Sequence, residues 1–160
     1  MPITIRPASA DDALRVVEVY VDSWNAGFVG LMPPIALDEG RVARWAGELA
    51  EGNWWVAEYD GVVAGLVGVG PSRDPLDPQL GELDTIAVDP TYWRTGIGTA
   101  LMHKALDELA AGYPEAILWT LADYDRGQRF YASTGWQPDS NTRDNGHQVS
   151  YRFTFSWNHT

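Results

Sequence analysis

The sequence predicts an α/β (α+β) fold: a mixed, mostly antiparallel central sheet of about six or seven strands with helices on both faces. Three observations carry this. From Glu82 to Leu121 a strand, a glycine turn, a helix and a second strand follow one another, which makes one βαβ unit. Around that unit, strand-like stretches are joined by hairpin signals, most clearly Asp60-Gly61. The chain has 160 residues, 45% of them hydrophobic and 21% charged, so residues 1–160 fit one domain able to bury a core without staples.

Ile3-Thr4-Ile5-Arg6 alternates as a short first strand, broken by Pro7-Ala8. Ser9 or Asp11 caps a helix running to about Asn25, with Leu14, Val17, Val21 and Trp24 at core-facing spacing. A loop from Gly27 to Pro34 precedes a second helix with Arg41, Val42, Trp45 and Leu49, ended by Gly52. Trp54–Tyr59 and Val62–Val69 are the two strands of the Asp60-Gly61 hairpin. Three prolines between Gly70 and Leu80 predict an exposed loop before the strand Glu82–Val88. The helix after the glycine turn carries an apolar stripe of Leu101, Met102, Ala105, Leu106 and Leu109, and Gly112-Tyr113-Pro114 ends it. Ala116–Leu121 is a buried strand, Tyr124–Thr134 a short helix closed by Gly135, Asp139–Gly146 a polar loop, and Val149–Phe155 a last alternating strand.

Composition excludes several classes of chemistry. There is no cysteine, hence no disulfide, thiolate nucleophile or Cys-ligated zinc. His103, His147 and His159 are isolated, with no metal-ligand spacing around them, so no metal is expected. The net charge of −11 argues against nucleic acid; on composition alone it reads first as a charge that keeps the protein soluble, with a mild lean toward a cationic partner. Met1-Pro2-Ile3-Thr4-Ile5-Arg6 lacks a signal-peptide layout, and no apolar run approaches the ~20 residues of a membrane helix. The expectation is a cytoplasmic protein that neither enters nor binds a membrane.

The most informative run is Val88-Asp89-Pro90-Thr91-Tyr92-Trp93-Arg94-Thr95-Gly96-Ile97-Gly98-Thr99-Ala100-Leu101. A strand ends at a proline, passes a short basic turn and opens a helix with two glycines. The helix start aims backbone N–H groups at one spot with the positive end of the helix behind them, a site for phosphate. Gly96 and Gly98 remove the Cβ that would hold an anion off, while Arg94 and Thr99 add a charge and a hydroxyl. A full Gly-x-Gly-x-x-Gly is absent, because Leu101 takes the third glycine's place, and no Walker lysine follows.

With this turn placed after the fourth strand, nearly the whole chain resembles the GNAT superfamily of N-acetyltransferases. There the turn reads Gln/Arg-x-x-Gly-x-Gly/Ala, and its amides hold the pyrophosphate of acetyl-CoA. The frame falls on Trp93, Arg94, Thr95 and Gly96, then Ile97, Gly98 and Thr99, with Trp93 in place of the usual Gln or Arg. Main-chain donors survive that change, and Arg94 can replace the lost side-chain donor. A second stretch, Arg126-Gly127-Gln128-Arg129-Phe130-Tyr131-Ala132-Ser133-Thr134-Gly135-Trp136, resembles the family's Asn-x-x-Ala-x-x-Phe-Tyr-x-x-x-Gly-Phe. Tyr124 and Gly127 depart from its Asn and Ala, and Trp136 replaces the Phe. The resemblance implies an acyl-CoA N-acyltransferase fold, splayed near the centre of its sheet. It implies that the main chain of Ile86, Ala87 and Val88 pairs with the pantetheine arm, that Tyr124 and Arg126 lie at the cofactor, and that Tyr131 protonates the leaving thiolate. A core tyrosine beside Phe130 is the plainer reading of Tyr131.

Attack on a thioester needs a neutral amine. At a pKa of ~10.4 an alkylamine is about 1 part in 2,500 neutral at pH 7, so a base matters. Glu82 is the candidate base, with Asp84 its competitor; each also reads as an ordinary charge at a strand entry. Ser23-Trp24-Asn25-Ala26-Gly27-Phe28-Val29-Gly30-Leu31-Met32-Pro33 resembles a pattern of one set of these enzymes, where it borders the acceptor pocket. Phe28 and Met32 are candidate acceptor contacts, and Trp24 is read as packing. The resulting expectation is acetyl transfer from acetyl-CoA to a primary amine of a small cationic molecule, by direct attack in a ternary complex. A non-catalytic acyl-CoA-binding module and a protein-amine acetyltransferase are the alternatives. The aromatic last strand offers an edge for a homodimer.

Overall fold

The computed structural model describes residues 2–155, so His159 lies outside the described residues. Among them are the strands β1 (Ile3–Pro7), β2 (Trp54–Tyr59), β3 (Val62–Arg73), β4 (Leu76–Val88), β5 (Glu115–Leu121), β6 (Gln137–Arg143) and β7 (Gln148–Thr154). The helices are α1 (Ala13–Gly27), α2 (Glu39–Ala50), α3 (Ile97–Gly112) and α4 (Asp125–Ser133). The strands hydrogen-bond in the order β1-β2-β3-β4-β5-β7-β6. β4 and β5 run parallel, while β1, β2 and β3, and likewise β5, β7 and β6, pair antiparallel. A mixed, mostly antiparallel seven-stranded sheet is therefore the architecture.

Two compact units make up the chain: residues up to Gly68 with Thr85–Ala105, and Val69–Asp84 with the residues from Leu106 onward. In the first unit Val16, Val19, Leu49, Trp54, Val56, Leu66 and Ala87 form a buried cluster. Trp45 meets Trp54 edge-on at 5.0 Å and so docks α2 onto it. α2 itself starts where the Asp38 side chain accepts the Arg41 N–H at 2.7 Å. In the second unit Ile117, Leu118, Leu109 and Trp136 are buried, and Trp136 packs edge-on against Phe153 at 5.5 Å.

Four sequence expectations are corrected. Leu14 is exposed at 57%, while Ala13, Val16, Val17 and Val19 are buried. The neighbouring Arg15 is drawn toward the Val63 carbonyl, which turns Leu14 outward. The stretch 70–80 is not an open loop: β3 extends to Arg73 and β4 begins at Leu76. The stretch 139–143 is a strand, because β7 supplies its backbone partners from Gln137↔Arg152 to Arg143↔Gln148. Finally, β7 pairs on both sides, with β5 and with β6, so it is no edge through which a second copy could pair. Among the described residues no helix is long and apolar enough to cross a membrane.

Candidate active site

The glycine turn is assembled by contacts that start at Asp89. Its N–H donates to the Ala64 carbonyl at 2.8 Å, and its carboxylate accepts the Thr91 N–H at 3.0 Å and Arg15 Nη2 at 2.8 Å. Arg15 also donates Nε to the Val63 carbonyl at 2.8 Å, tying α1 to both β3 and the turn. Burial pushes the Asp89 carboxyl up, but the Arg15 hydrogen bond and the Thr91 amide outweigh it and hold the group below the usual carboxylate range. Pro90–Tyr92 forms a single 3-10 turn, after which the Trp93 indole N–H donates back to the Val88 carbonyl at 2.8 Å. The residue that departs from the family pattern thus serves as a brace for the end of β4.

Arg94 then adopts φ +66° and Gly96 φ +91°. Two left-handed residues in one three-residue stretch turn the chain sharply into α3, and only the glycine does so without cost. Ala100 N–H bonds the Gly96 carbonyl at 3.0 Å. The amides of Ile97, Gly98 and Thr99 precede it and have no acceptor within the helix. Ile97 is buried at 1%, which pins this end of the helix, while Arg94, Thr95 and Thr99 are exposed. None of the ion pairs among the described residues includes Arg94. Open amides, a helix N-terminus and an uncommitted guanidinium fit a diphosphate. Upstream on β4, Ala87 belongs to the buried cluster, whereas Ile86 and Val88 are half-buried.

In the second unit, β4 and β5 part company at Glu82. Their parallel register pairs Gly81↔Ala116 and Glu82↔Ile117 and ends there, although Leu83 and Asp84 continue β4 and Leu118 to Leu121 continue β5. This is the divergence expected near the sheet centre. Glu82 sits at the fork, 7% exposed. Its Oε1 accepts the Arg73 N–H at 2.9 Å, and its Oε2 lies 3.7 Å from Arg73 Nη2. The same Nη2 donates to Asp84 Oδ2 at 2.9 Å. Both candidate bases are therefore brought together by one guanidinium.

α4 presents Tyr131. The helix is bolted to the end of β5 by Gln128, whose Nε2 donates to the Leu121 and Ala122 carbonyls at 3.1 and 2.7 Å. Gln128 Oε1 in turn accepts the Tyr151 hydroxyl at 2.9 Å. The Tyr131 ring lies 5.8 Å from Phe130 and 6.1 Å from Tyr151, and no hydrogen bond engages its hydroxyl among the described residues. Burial, with a smaller effect from Tyr124, pushes the Tyr131 hydroxyl above its ordinary range, so it holds its proton at any physiological pH. Burial also raises Tyr124, against an opposing pull from Arg126, which is exposed. The Tyr124 ring rests on Gly127: a Cβ there would meet Cδ2 and Cε2 at 2.4 and 2.5 Å. The two departures from the family motif are thus one event, since the ring at 124 requires the missing side chain at 127.

In the first unit, Phe28 ends α1 and meets Trp24 edge-on at 4.8 Å. The loop beyond it is tied back by Trp24 Nε1, which donates to the Pro33 carbonyl at 3.1 Å, and by two hydrogen bonds: Asn25 Nδ2 donates to the Ile35 carbonyl at 2.9 Å and the Ile35 N–H donates to Asn25 Oδ1 at 2.8 Å. Trp24 thereby holds loop structure, in line with its packing role, and Met32 is left 37% exposed. Four residues escaped the sequence reading: Arg15, Asn25, Arg73 and Gln128. Their partners lie up to 74 positions away, and no local pattern announces them.

A family model described as "Acetyltransferase (GNAT) family" matches residues 15–136. An uncharacterized N-acetyltransferase of Archaeoglobus fulgidus is 32% identical over 132 residues, covering 81% of this chain and 89% of its own length. Among solved structures, the PaiA N-acetyltransferase of Thermoplasma acidophilum in complex with coenzyme A is similar at TM-score 0.76, with 19% identity over 97% of this chain and 100% of that one. YncA of Salmonella typhimurium, a putative acetyltransferase with acetyl-CoA, is similar at TM-score 0.75, with 20% identity over 100% of this chain and 98% of that one. With a family model covering most of its length and a relative above 30% identity, the chain belongs to the GNAT family of acyl-CoA-dependent acetyltransferases.

Proposed function

We propose that the protein moves acetyl from acetyl-CoA to a primary amine of a small molecule by direct attack in a ternary complex, working as a single domain in the cytoplasm. The observation that carries this is the turn at Arg94–Gly96, whose left-handed backbone opens the first amides of α3 toward an anion. The amides of Ile97, Gly98 and Thr99 and the Arg94 side chain hold the diphosphate, with Trp93 and Thr95 keeping the turn in shape. The main chain of Ile86, Ala87 and Val88 aligns the pantetheine arm, and Tyr124 and Arg126 flank the cofactor. Acetyl-CoA supplies the acetyl group as a thioester, whose C–S bond is exchanged for the C–N bond of the product.

The acceptor arrives as an ammonium ion. Glu82 takes its proton at Oε2, which lies 3.7 Å from Arg73 Nη2, while Oε1 accepts the Arg73 N–H. Asp84 holds the ammonium nearby, and Phe28 and Met32 supply apolar acceptor contacts. Tyr131 delivers its Oη proton to the sulfur as the C–S bond breaks and is restored by the second proton that the nitrogen loses on becoming an amide, so CoA leaves as its thiol and the proton on Glu82 passes to solvent. With no cysteine in the chain to carry an acetyl group, direct transfer is the simpler course.

The test is a Tyr131→Phe series. CoA titrated calorimetrically binds both proteins within about twofold, while acetyl transfer to a panel of amines falls more than about tenfold in the variant. CoA binding without transfer to any amine in the wild type identifies a binding module instead. Absence of CoA binding removes the reading altogether.

A further inference from the structure

Tyr131, read above as the proton donor, stands on a helix that has little of its own to hold it. α4 has nine residues, short of the ~12–15 at which a helix begins to hold together alone. Among its residues only Gly127 is buried, while Asp125, Arg126, Arg129, Ala132 and Ser133 are exposed. Apolar burial therefore docks α4 weakly. No hydrogen bond engages Tyr131 Oη among the described residues, so the place of that hydroxyl is set by whatever fixes the helix.

Two anchors do so, and both reach β7. Downstream, the Trp136 N–H donates to the Tyr131 carbonyl at 3.1 Å, and the buried Trp136 ring packs on Phe153. Upstream, Gln128 lies three residues before Tyr131, so the two side chains leave neighbouring positions on one side of the helix. Its Nε2 has two hydrogens and serves two acceptors, the Leu121 and Ala122 carbonyls where β5 ends. Its Oε1 accepts from Tyr151 Oη. Tyr151 is 6% exposed, on a strand paired along both edges, and its ring is also the neighbour of Tyr131 at 6.1 Å. Tyr151 and Phe153 alternate onto the same face of β7, so one strand receives both anchors. Gln128 thus joins the end of β5, the core of the strand pair and the side of α4 that bears Tyr131.

Proton transfer to sulfur works only within hydrogen-bond reach, and about 1 Å of misplacement can cost ~100-fold in rate. We propose that Gln128 and Tyr151 are positioning residues for acetyl transfer: their hydrogen bonds hold α4 where Tyr131 Oη meets the departing sulfur. The inference rests on the reading of Tyr131 as the proton donor and adds the pair that places it. A clamp that serves only the fold lowers activity alike with or without a hydroxyl at residue 131. A clamp that acts through Tyr131 loses its effect once that hydroxyl is gone.

The experiment places Tyr151→Phe and Gln128→Met in the wild-type and Tyr131→Phe backgrounds. Steady-state kinetics are measured with acetyl-CoA and, as acceptor probes, phenethylamine, isoamylamine and 1,4-diaminobutane. With the fastest probe, Tyr151→Phe lowers kcat by about threefold to tenfold and Gln128→Met by about tenfold to a hundredfold, while KM for acetyl-CoA stays within about twofold. In the Tyr131→Phe background the same substitutions change kcat by less than about twofold. Equal losses in both backgrounds, an unchanged kcat in both variants, or losses confined to KM for acetyl-CoA overturn the inference while Tyr131 keeps its role. Tyr151→Phe retains the ring and its packing, so its result decides the matter even where Gln128→Met does not fold. A Tyr131→Phe protein as fast as the wild type, or failure of every probe to react with CoA bound normally, overturns the inference together with the reading beneath it.

Discussion

Placing alanine at Gly127 sets helix propensity against a collision. In the interior of a helix, Ala is favoured over Gly by ~0.8–1.0 kcal/mol. Yet the new Cβ would sit 2.4 Å from the Tyr124 ring, where ordinary contact begins at 3.4 Å, so the ring must retreat by about 1 Å. Tyr124 is half-buried, and displacing such a ring typically costs ~1–3 kcal/mol. Gly127→Ala alone is therefore neutral to destabilising by about 2 kcal/mol. In a Tyr124→Asn background the obstacle is gone and the propensity term acts alone, so the same substitution stabilises by ~0.9 kcal/mol. Urea unfolding of the wild type, both single variants and the double variant yields the cycle, with a coupling of about 2 kcal/mol expected. Additivity within ~0.5 kcal/mol would show that the ring does not dictate the glycine, and the argument for a paired departure would fail.

Two further outcomes follow from the turn. Asp89→Ala removes a charge-assisted bond to Arg15 and the cap on Thr91, and should destabilise by about 2 kcal/mol at pH 7, lowering Tm by roughly 4–8 °C. Because the native carboxyl is held below its ordinary range, its contribution is complete above pH ~3.9 and is lost as pH falls through the lower native value. Wild type and variant should accordingly converge in acid; a constant gap between pH 7 and pH 2 refutes the ion-pair account. Arg94→Gly should move stability and affinity in opposite directions. Relief of a φ of +66° stabilises by ~1 kcal/mol, while loss of the guanidinium weakens CoA binding by about five- to tenfold, read by thermal unfolding and calorimetry. A variant that loses both, or neither, contradicts the role given to that arginine.

The parts legible in the sequence are those whose geometry depends on near neighbours. Asp60-Gly61 closes its hairpin between β2 and β3 because the required dihedrals belong to those two residues, and Val-Asp-Pro followed by Gly-x-Gly ends a strand and starts a helix for the same reason. Phe130-Tyr131 sits on a short helix closed by Gly135, as its spacing indicates. What tertiary structure alone decided are the contacts made across register. β6 is a strand despite its polar residues because β7 pairs with its backbone, and hydrogen-bonded pairing is blind to side-chain polarity. Leu14 points outward because Arg15 finds Val63 and Asp89, 48 and 74 positions on. Arg73 is held over Glu82 and Asp84 because Asp74 meets Trp119 and Arg143, 45 and 69 positions away. A turn is written in the residues that make it, whereas a long-range partner is chosen only once strands have packed, when burial and charge complementarity select it from many candidates of the same type.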